Sequence, residues 1–224
     1  MGLKDFSPEK KLHHFLELLL ESPYNLTSIK ETERAYIKHV EDVIRPFKEK
    51  RLKGSFIDVG TGGGVPGLVM AIIFPETRWL LVDSIKKKII EVERFIHELE
   101  LSNVHTMRSR VEELSNKYRK YFDGAFSRAL GKTDLALELC APFVKKGGSC
   151  YIYKGPSWVK EKPRIEKACS ILGFSEPEVV NYRLTDKSLR TLLVFEKIKG
   201  TPEIFPRRVG KALKKPIGIY PKKV

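Results

Sequence analysis

The sequence predicts an α/β fold with a doubly wound, mostly parallel sheet, and three observations carry the prediction. A short apolar strand, Phe56 to Val59, runs straight into a glycine-rich turn containing Gly60, Gly62, Gly63, Gly64 and Gly67. An apolar helical run, Leu68 to Phe74, follows and is stopped by Pro75. A second apolar strand, Trp79 to Val82, ends on Asp83. Strand, glycine turn, helix, strand and acid form half of a nucleotide-binding fold.

The glycines have a physical task. A turn this tight needs residues at positive φ, and a ligand can approach backbone that carries no Cβ. The acid about twenty residues on stands where such folds place a carboxylate on a ribose hydroxyl. A purely structural turn is the plain alternative, but five flanked glycines followed by the acid favour a ligand. Gly62, Gly64 and Gly67 spell G-x-G-x-x-G, the dinucleotide fingerprint. Counted from Gly60, the first residue after the strand, the pattern is G-x-G-x-G with Val65 in the place of the last fingerprint glycine. With Asp58 two residues earlier, that is the pattern of S-adenosylmethionine-binding methyltransferases. Such a ligand brings an amino-acid end and a sulfonium, both suited to nearby carboxylates. A nicotinamide-dependent oxidoreductase is the rival reading of the same glycines.

Upstream, Ser7-Pro8 opens a helix as cap and first turn, with Leu12, Phe15, Leu16, Leu19 and Leu20 on one stripe before Pro23. Ser28 and Glu31 read as a capping box for a further helix carrying Tyr36, Ile37, Val40 and Val43, closed by Pro46. These are core signals. Residues 1–53 read as a helical extension, 54–199 as the α/β domain and 200–224 as a basic arm.

Downstream of Asp83, the spacing predicts a helix from Ile85 to Leu99 and a strand from Val104 to Met107. The turn after that strand carries Glu112 beside Val111, a candidate acceptor for an adenine amino group. A helix-terminal acid satisfied by the dipole is the plain alternative. Phe122 to Ser127 reads as a fourth strand with Arg128 just beyond it, on the edge where open α/β sheets bind ligands; a structural ion pair would explain it equally well. A helix from Thr133 to Cys140 leads to a Lys145-Lys146-Gly147-Gly148 turn and a fifth strand, Cys150 to Tyr153. Lys154 follows at the same edge, placed to touch phosphate or a guanine carbonyl, or to be a surface lysine. Trp158 to Leu172 reads as one helix capped by Gly173. Glu178 to Tyr182 and Ser188 to Glu196 read as a terminal antiparallel pair, completing seven strands with helices on both faces.

Composition narrows the classes. The chain has 224 residues, 42 of them basic and 28 acidic, for a net charge of +14. That excess points to a polyanionic partner, and a basic solvated surface is the alternative. Arg207, Arg208, Lys211, Lys214, Lys215, Lys222 and Lys223 crowd the tail, which Ile204 and Phe205 are expected to hold to the body. No apolar run approaches a membrane span, and the first residues lack a signal-peptide core. Cys140, Cys150 and Cys169 read as reduced core thiols, and neither cysteine nor histidine shows metal-ligand spacing.

Together these residues resemble the bacterial RsmG (GidB) methyltransferases. The markers are Tyr24-Asn25-Leu26-Thr27, the block from Asp58 to Gly67, Asp83-Ser84, Ser109-Arg110-Val111-Glu112-Glu113, Phe122-Asp123, Ser127-Arg128-Ala129, Lys154-Gly155 and Phe205-Pro206-Arg207-Arg208. The resemblance implies a Rossmann-like class I methyltransferase that uses S-adenosylmethionine to methylate guanine N7 in 16S ribosomal RNA. It implies cofactor contacts at Gly60, Val65, Val111, Glu112 and Arg128. Gly62, Gly64 and Asp83 join them from the residue pattern, and Arg128 and Lys154 are the expected catalytic pair. Gly63 stands where the family often has proline, and the middle of the tail departs from the family's commoner wording. The expected protein is a cytoplasmic monomer acting on 16S ribosomal RNA or a small-subunit assembly particle, with no metal and no membrane. A non-enzymatic RNA-binding or ribosome-assembly protein is the second rival.

Overall fold

The computed structural model describes residues 7–219. Its seven strands are β1 (Ser55–Val59), β2 (Arg78–Asp83), β3 (Val104–Arg108), β4 (Phe122–Arg128), β5 (Val144–Lys154), β6 (Glu178–Arg183) and β7 (Leu189–Glu196). They form one sheet in the order β3-β2-β1-β4-β5-β7-β6. The first five pair in parallel, and β7 inserts antiparallel between β5 and β6. β1 is central and buried along its whole length, as a strand covered on both faces must be.

Each face has its own core. On one, Ile57, Val82, Ala125 and Ile152 pack under helices Thr133–Cys140 and Lys162–Leu172. On the other, Phe56, Leu81, Phe126 and Leu192 meet helices Gly67–Ile73 and Lys86–Glu98 together with the N-terminal segment. That segment begins with α1 (Pro8–Glu21), whose first turn holds Pro8 and whose cap Ser7 accepts from the Lys10 amide. Its second part, α2, opens as α-helix (Thr32–Ala35), widens to a π-helix (Tyr36–Glu41), returns to α (Asp42–Ile44) and closes as 3-10 (Arg45–Phe47). Phe15, Val40, Val43 and Phe47 enter the same core as β1 and β4, so the segment covers the sheet face itself.

Several expectations are corrected in detail. Ser28 caps nothing: Glu31 is the residue before α2, and no side chain bonds the first turn. The stretch from Trp158 to Leu172 divides into a 3-10 turn, Pro156–Glu161, and an α-helix, Lys162–Leu172. Pro163 enforces the division, because proline fits a helix only in its first turn. Lys145 to Gly148 lies inside β5, where the register against β4 jumps between Phe122 and Gly124. β4 runs one residue further than expected, so Arg128 is its last residue and not the one beyond it. Gly173 does cap its helix at φ 79°, where a Cβ would stand 2.4 Å from the Lys199 carbonyl oxygen. The three cysteines are free and buried.

The tail departs most from expectation. Phe205 is buried, but Ile204 is 69% exposed and holds nothing. The anchor is an ion pair instead: Arg207 Nε donates to Glu138 Oε1 at 2.7 Å, and Glu138 is buried. Arg119 adds bonds to the carbonyls of Phe205 and Thr201. Lys222 and Lys223 lie outside the described residues.

Phe15 is fully buried and meets Phe95 edge-on at 6.0 Å. Phe15→Ala should cost about 3–5 kcal/mol by leaving a cavity where α1 meets the helix Lys86–Glu98, and urea denaturation of the whole chain reads this directly.

Candidate active site

The glycine turn is built on a buried carboxylate. Asp58 is wholly inaccessible, and its Oδ2 accepts from Thr61 Oγ1 at 2.7 Å and from the Gly67 amide at 3.0 Å. One side chain thus ties the turn to β1 and to the start of the following helix. Asp58 Oδ1 has no hydrogen-bond partner among the described residues. Burial pushes the Asp58 carboxyl up to about 6, against the opposing pull of its two hydrogen bonds and of Arg128; Asp83 adds a smaller push in the same direction as burial.

A second carboxylate ties the turn to β2. Asp83 Oδ2 accepts the Gly62 amide at 3.0 Å, and Oδ1 accepts the Ile85 amide at 2.9 Å. Each oxygen keeps a second lone pair. Gly60 and Thr61 donate to the Val82 carbonyl at 2.9 and 3.0 Å, which continues the parallel ladder past β1. Gly60 itself stands at φ 75°, a conformation that glycine takes without strain.

These ends enclose a cavity of about 520 Å³. Gly60, Asp83, Val111, Glu112 and Arg128, which the sequence offers as cofactor contacts, line it. The other expected residues take different places. Gly62 reaches the cavity only through Asp83; Gly64 turns toward Leu68, and Val65 is buried in the core on the helix side. Lys154 does not line this cavity. Its Nζ donates to the Gly131 carbonyl at 3.1 Å and lies 3.2 Å from both oxygens of Glu161. Glu161 also accepts the Thr133 amide and hydroxyl at 2.7 Å; these bonds and Lys154 outweigh burial and hold its carboxyl below the usual range.

Arg128 stands between the first cavity and a second one of about 510 Å³. Ala129, which shares both, turns the chain at φ 58°, an uncommon conformation for a residue with a Cβ. The second cavity is cationic: Arg34, Lys38, Lys154 and Arg190 line it with Arg128, and Asp42 supplies the facing carboxylate. Asp42 is also held by the Tyr182 hydroxyl at 2.9 Å.

Sequence reasoning missed three contributors. His39 and Asp42 come from α2, more than eighty residues from Arg128, and only the His39-x-x-Asp42 spacing on a helix hinted that they share a face. The tail is the third. Val209, Gly210 and Leu213 line the first cavity, and the Gly210 amide lies 3.3 Å from Glu112 Oε1. The basic arm therefore folds back over this cavity.

A seven-stranded sheet with one antiparallel strand, a glycine turn after β1 and a carboxylate ending β2 define a Rossmann-like class I methyltransferase. Solved structures share this fold. A geranyl diphosphate methyltransferase in complex with SAM aligns with TM-score 0.56 at 13% identity, covering 81% of this chain and 95% of that one. A variant of the 16S rRNA (adenine(1408)-N(1))-methyltransferase from Catenulisporales acidiphilia aligns with TM-score 0.54 at 16% identity, covering 71% and 91%. The particular family is given by sequence: residues 8–190 match GidB, the rRNA small subunit methyltransferase G family. Proteins named ribosomal RNA small subunit methyltransferase G are similar over nearly the whole length. That of Pseudothermotoga lettingae is 41% identical over 217 residues, 96% of this chain and 95% of its own. That of Fervidobacterium nodosum is 42% identical over 205 residues, 91% and 95%. The chain belongs to this family. Among the described residues no group of side chains could hold a metal ion, and no helix is long and apolar enough to cross a membrane.

The folded protein binds the Asp58 proton more tightly than the unfolded chain, whose carboxyl titrates near 3.8. That preference favours folding in full below 3.8 and is lost as pH rises through about 6. The stability of the natural protein relative to Asp58→Asn should therefore fall by about 3 kcal/mol between about pH 4 and about pH 8, as read from denaturant midpoints of the two proteins.

Proposed function

We propose that the first cavity holds S-adenosylmethionine and the second receives a guanine of 16S ribosomal RNA, whose N7 takes the methyl group. As a member of its family the protein is an S-adenosylmethionine-dependent methyltransferase of small-subunit ribosomal RNA. One observation carries the finer assignment: two cavities of nucleoside size share a wall, Arg128 and Ala129, at the carboxyl end of β4.

The first cavity fits the cofactor chemically. Gly60 offers backbone without a Cβ, and Asp83 keeps lone pairs for a ribose hydroxyl. Glu112 lines the cavity beside Val111, which supports it as the acceptor for an adenine amino group. Gly62, Gly64 and Val65 act by shaping the turn. When bound, the cofactor supplies an electrophilic methyl on a sulfonium.

The chain's own part is binding and alignment. Guanine N7 carries an in-plane lone pair, so no proton leaves before transfer and no general base is required. His39, the histidine at the second cavity, has none to offer: its Nδ1 lies 2.9 Å from Arg128, and its Nε2 lies 2.8 Å from Thr27 Oγ1. Holding nucleophile and electrophile in line is worth up to roughly 7–11 kcal/mol. Arg128 and the cations of the second cavity hold the target base or its phosphates, with Lys154 kept in place by Glu161. The base must leave its stack to reach them.

Calorimetry with S-adenosylhomocysteine should show binding that NADH does not; binding of NADH alone would favour an oxidoreductase. Glu112→Ala should weaken that binding by about tenfold, the loss of one hydrogen bond to a charged acceptor. Methyl transfer to 16S ribosomal RNA or to assembly particles should fall about 10–100-fold in Arg128→Ala. RNA binding without any methyl transfer would favour a non-enzymatic assembly protein. Mapping the methylated position tests N7.

A further inference from the structure

Arg128 is gripped from the side of α2, and the grip has a defined proton order. Its Nη1 donates to the Lys38 carbonyl at 2.6 Å and lies 3.5 Å from Asp42 Oδ2. Its Nη2 lies 2.9 Å from His39 Nδ1. A guanidinium donates only, so His39 Nδ1 accepts and the ring proton sits on Nε2. Nε2–H then donates to Thr27 Oγ1 at 2.8 Å, and the same oxygen accepts the Ile29 amide at 3.1 Å. Thr27, in the loop between α1 and α2, thereby holds the tautomer that Arg128 requires, by giving the Nε2–H an acceptor.

The location is not that of an ordinary surface ion pair. Lys38 and His39 lie in the π-helical part of α2, a distortion that recurs at functional sites. The Arg128 side chain is 18% exposed and that of Asp42 5%. Arg34, Lys38, Asp42, Lys154 and Arg190 are the other charged groups of the cavity that His39 lines. Burial and the charge of Arg128 hold the imidazole down to about 4, so the ring is neutral and its lone pair available throughout the neutral range.

We propose that His39 is a positioning residue for methyl transfer: its Nδ1 lone pair, with the ring held through Nε2 by Thr27, aims the Arg128 guanidinium along the wall between the cofactor cavity and the target cavity. This deepens the proposed function and rests on its assignment of Arg128 to that wall. The N-terminal segment becomes part of the site, since it supplies three of the acceptors that orient the guanidinium.

A double-mutant cycle on the full chain tests it, with single-turnover methyl transfer to 16S ribosomal RNA in small-subunit particles as the readout. His39→Phe should slow transfer by about tenfold. His39→Asn, whose Oδ1 falls near the place of the imidazole Nδ1, should recover most of that loss. In the Arg128→Ala background, His39→Phe should have little further effect, within about twofold. Should His39→Phe fail to fold, Thr27→Val takes its place in the cycle, with a loss of about threefold or more that Arg128→Ala likewise abolishes. Losses that multiply across the two sites, or a folded His39→Asn as slow as His39→Phe, would overturn the inference while leaving the proposed function intact. A folded Arg128→Ala that transfers methyl at the natural rate would instead remove Arg128 from the wall, and the inference with it.

Discussion

The hydrogen bonds that Asp58 receives beneath the glycine turn are the constraint on which the first cavity's edge of the sheet depends. One buried oxygen holds Thr61 at the front of the turn and Gly67 at the start of the following helix. Asp83 then fastens the middle of the same turn to β2 through Gly62. Two carboxylates on neighbouring strands thus set the shape of a loop in which Gly60, Gly62, Gly63 and Gly64 have no side chains to pack. The arrangement keeps acidic oxygens and bare backbone at one edge of the sheet, which suits a ligand with a sugar and a cationic centre. Burying Asp58 is costly, as its raised pKa shows, and the cost is met locally by two donors and by the nearby charge of Arg128.

The N-terminal segment performs two tasks with one set of residues. Its apolar side closes the sheet face opposite Thr133–Cys140, through Phe15, Val40 and Val43. Its polar side reaches the carboxyl ends of the strands, where Lys38, His39 and Asp42 meet Arg128. The switch to a π-helix at Tyr36–Glu41 lies at the point where these two sides meet. The basic tail is likewise more than an arm for a polyanion. Arg207 is committed to buried Glu138, and the residues after it form part of the first cavity's wall. A strongly basic sequence therefore spends part of its charge inside its own fold, and five cations, Arg34, Lys38, Arg128, Lys154 and Arg190, meet at the second cavity.

The elements around the glycine turn were legible because each carries a local physical signature. β1, the Gly60 to Gly67 turn, the following helix and Asp83 follow from apolar periodicity and from the conformations only glycine takes easily. The terminal antiparallel pair and the Gly173 cap were legible for the same reason. Errors fell where a neighbour in space outweighed the local signal. Lys145 to Gly148 reads as a turn, yet its pairing partners on β4 draw it into β5. Ser28 reads as a cap, yet α2 begins beyond it. Ile204 reads as an anchor, yet the Glu138 carboxylate recruits Arg207 instead.

Sequence alone determined the class of fold, the edge of the sheet that carries the two cavities and the kinship with one methyltransferase family, because these reside in short contiguous patterns. Tertiary structure alone decided which atoms meet. It turned Val65 and Gly64 away from the cavity, bound Lys154 to Glu161, and brought His39 and Asp42 of α2 against Arg128. It also laid Gly210 against Glu112. The contacts of α2 with Arg128 and of Gly210 with Glu112 span 86, 89 and 98 residues, and no local periodicity encodes the direction in which a side chain will find its partner.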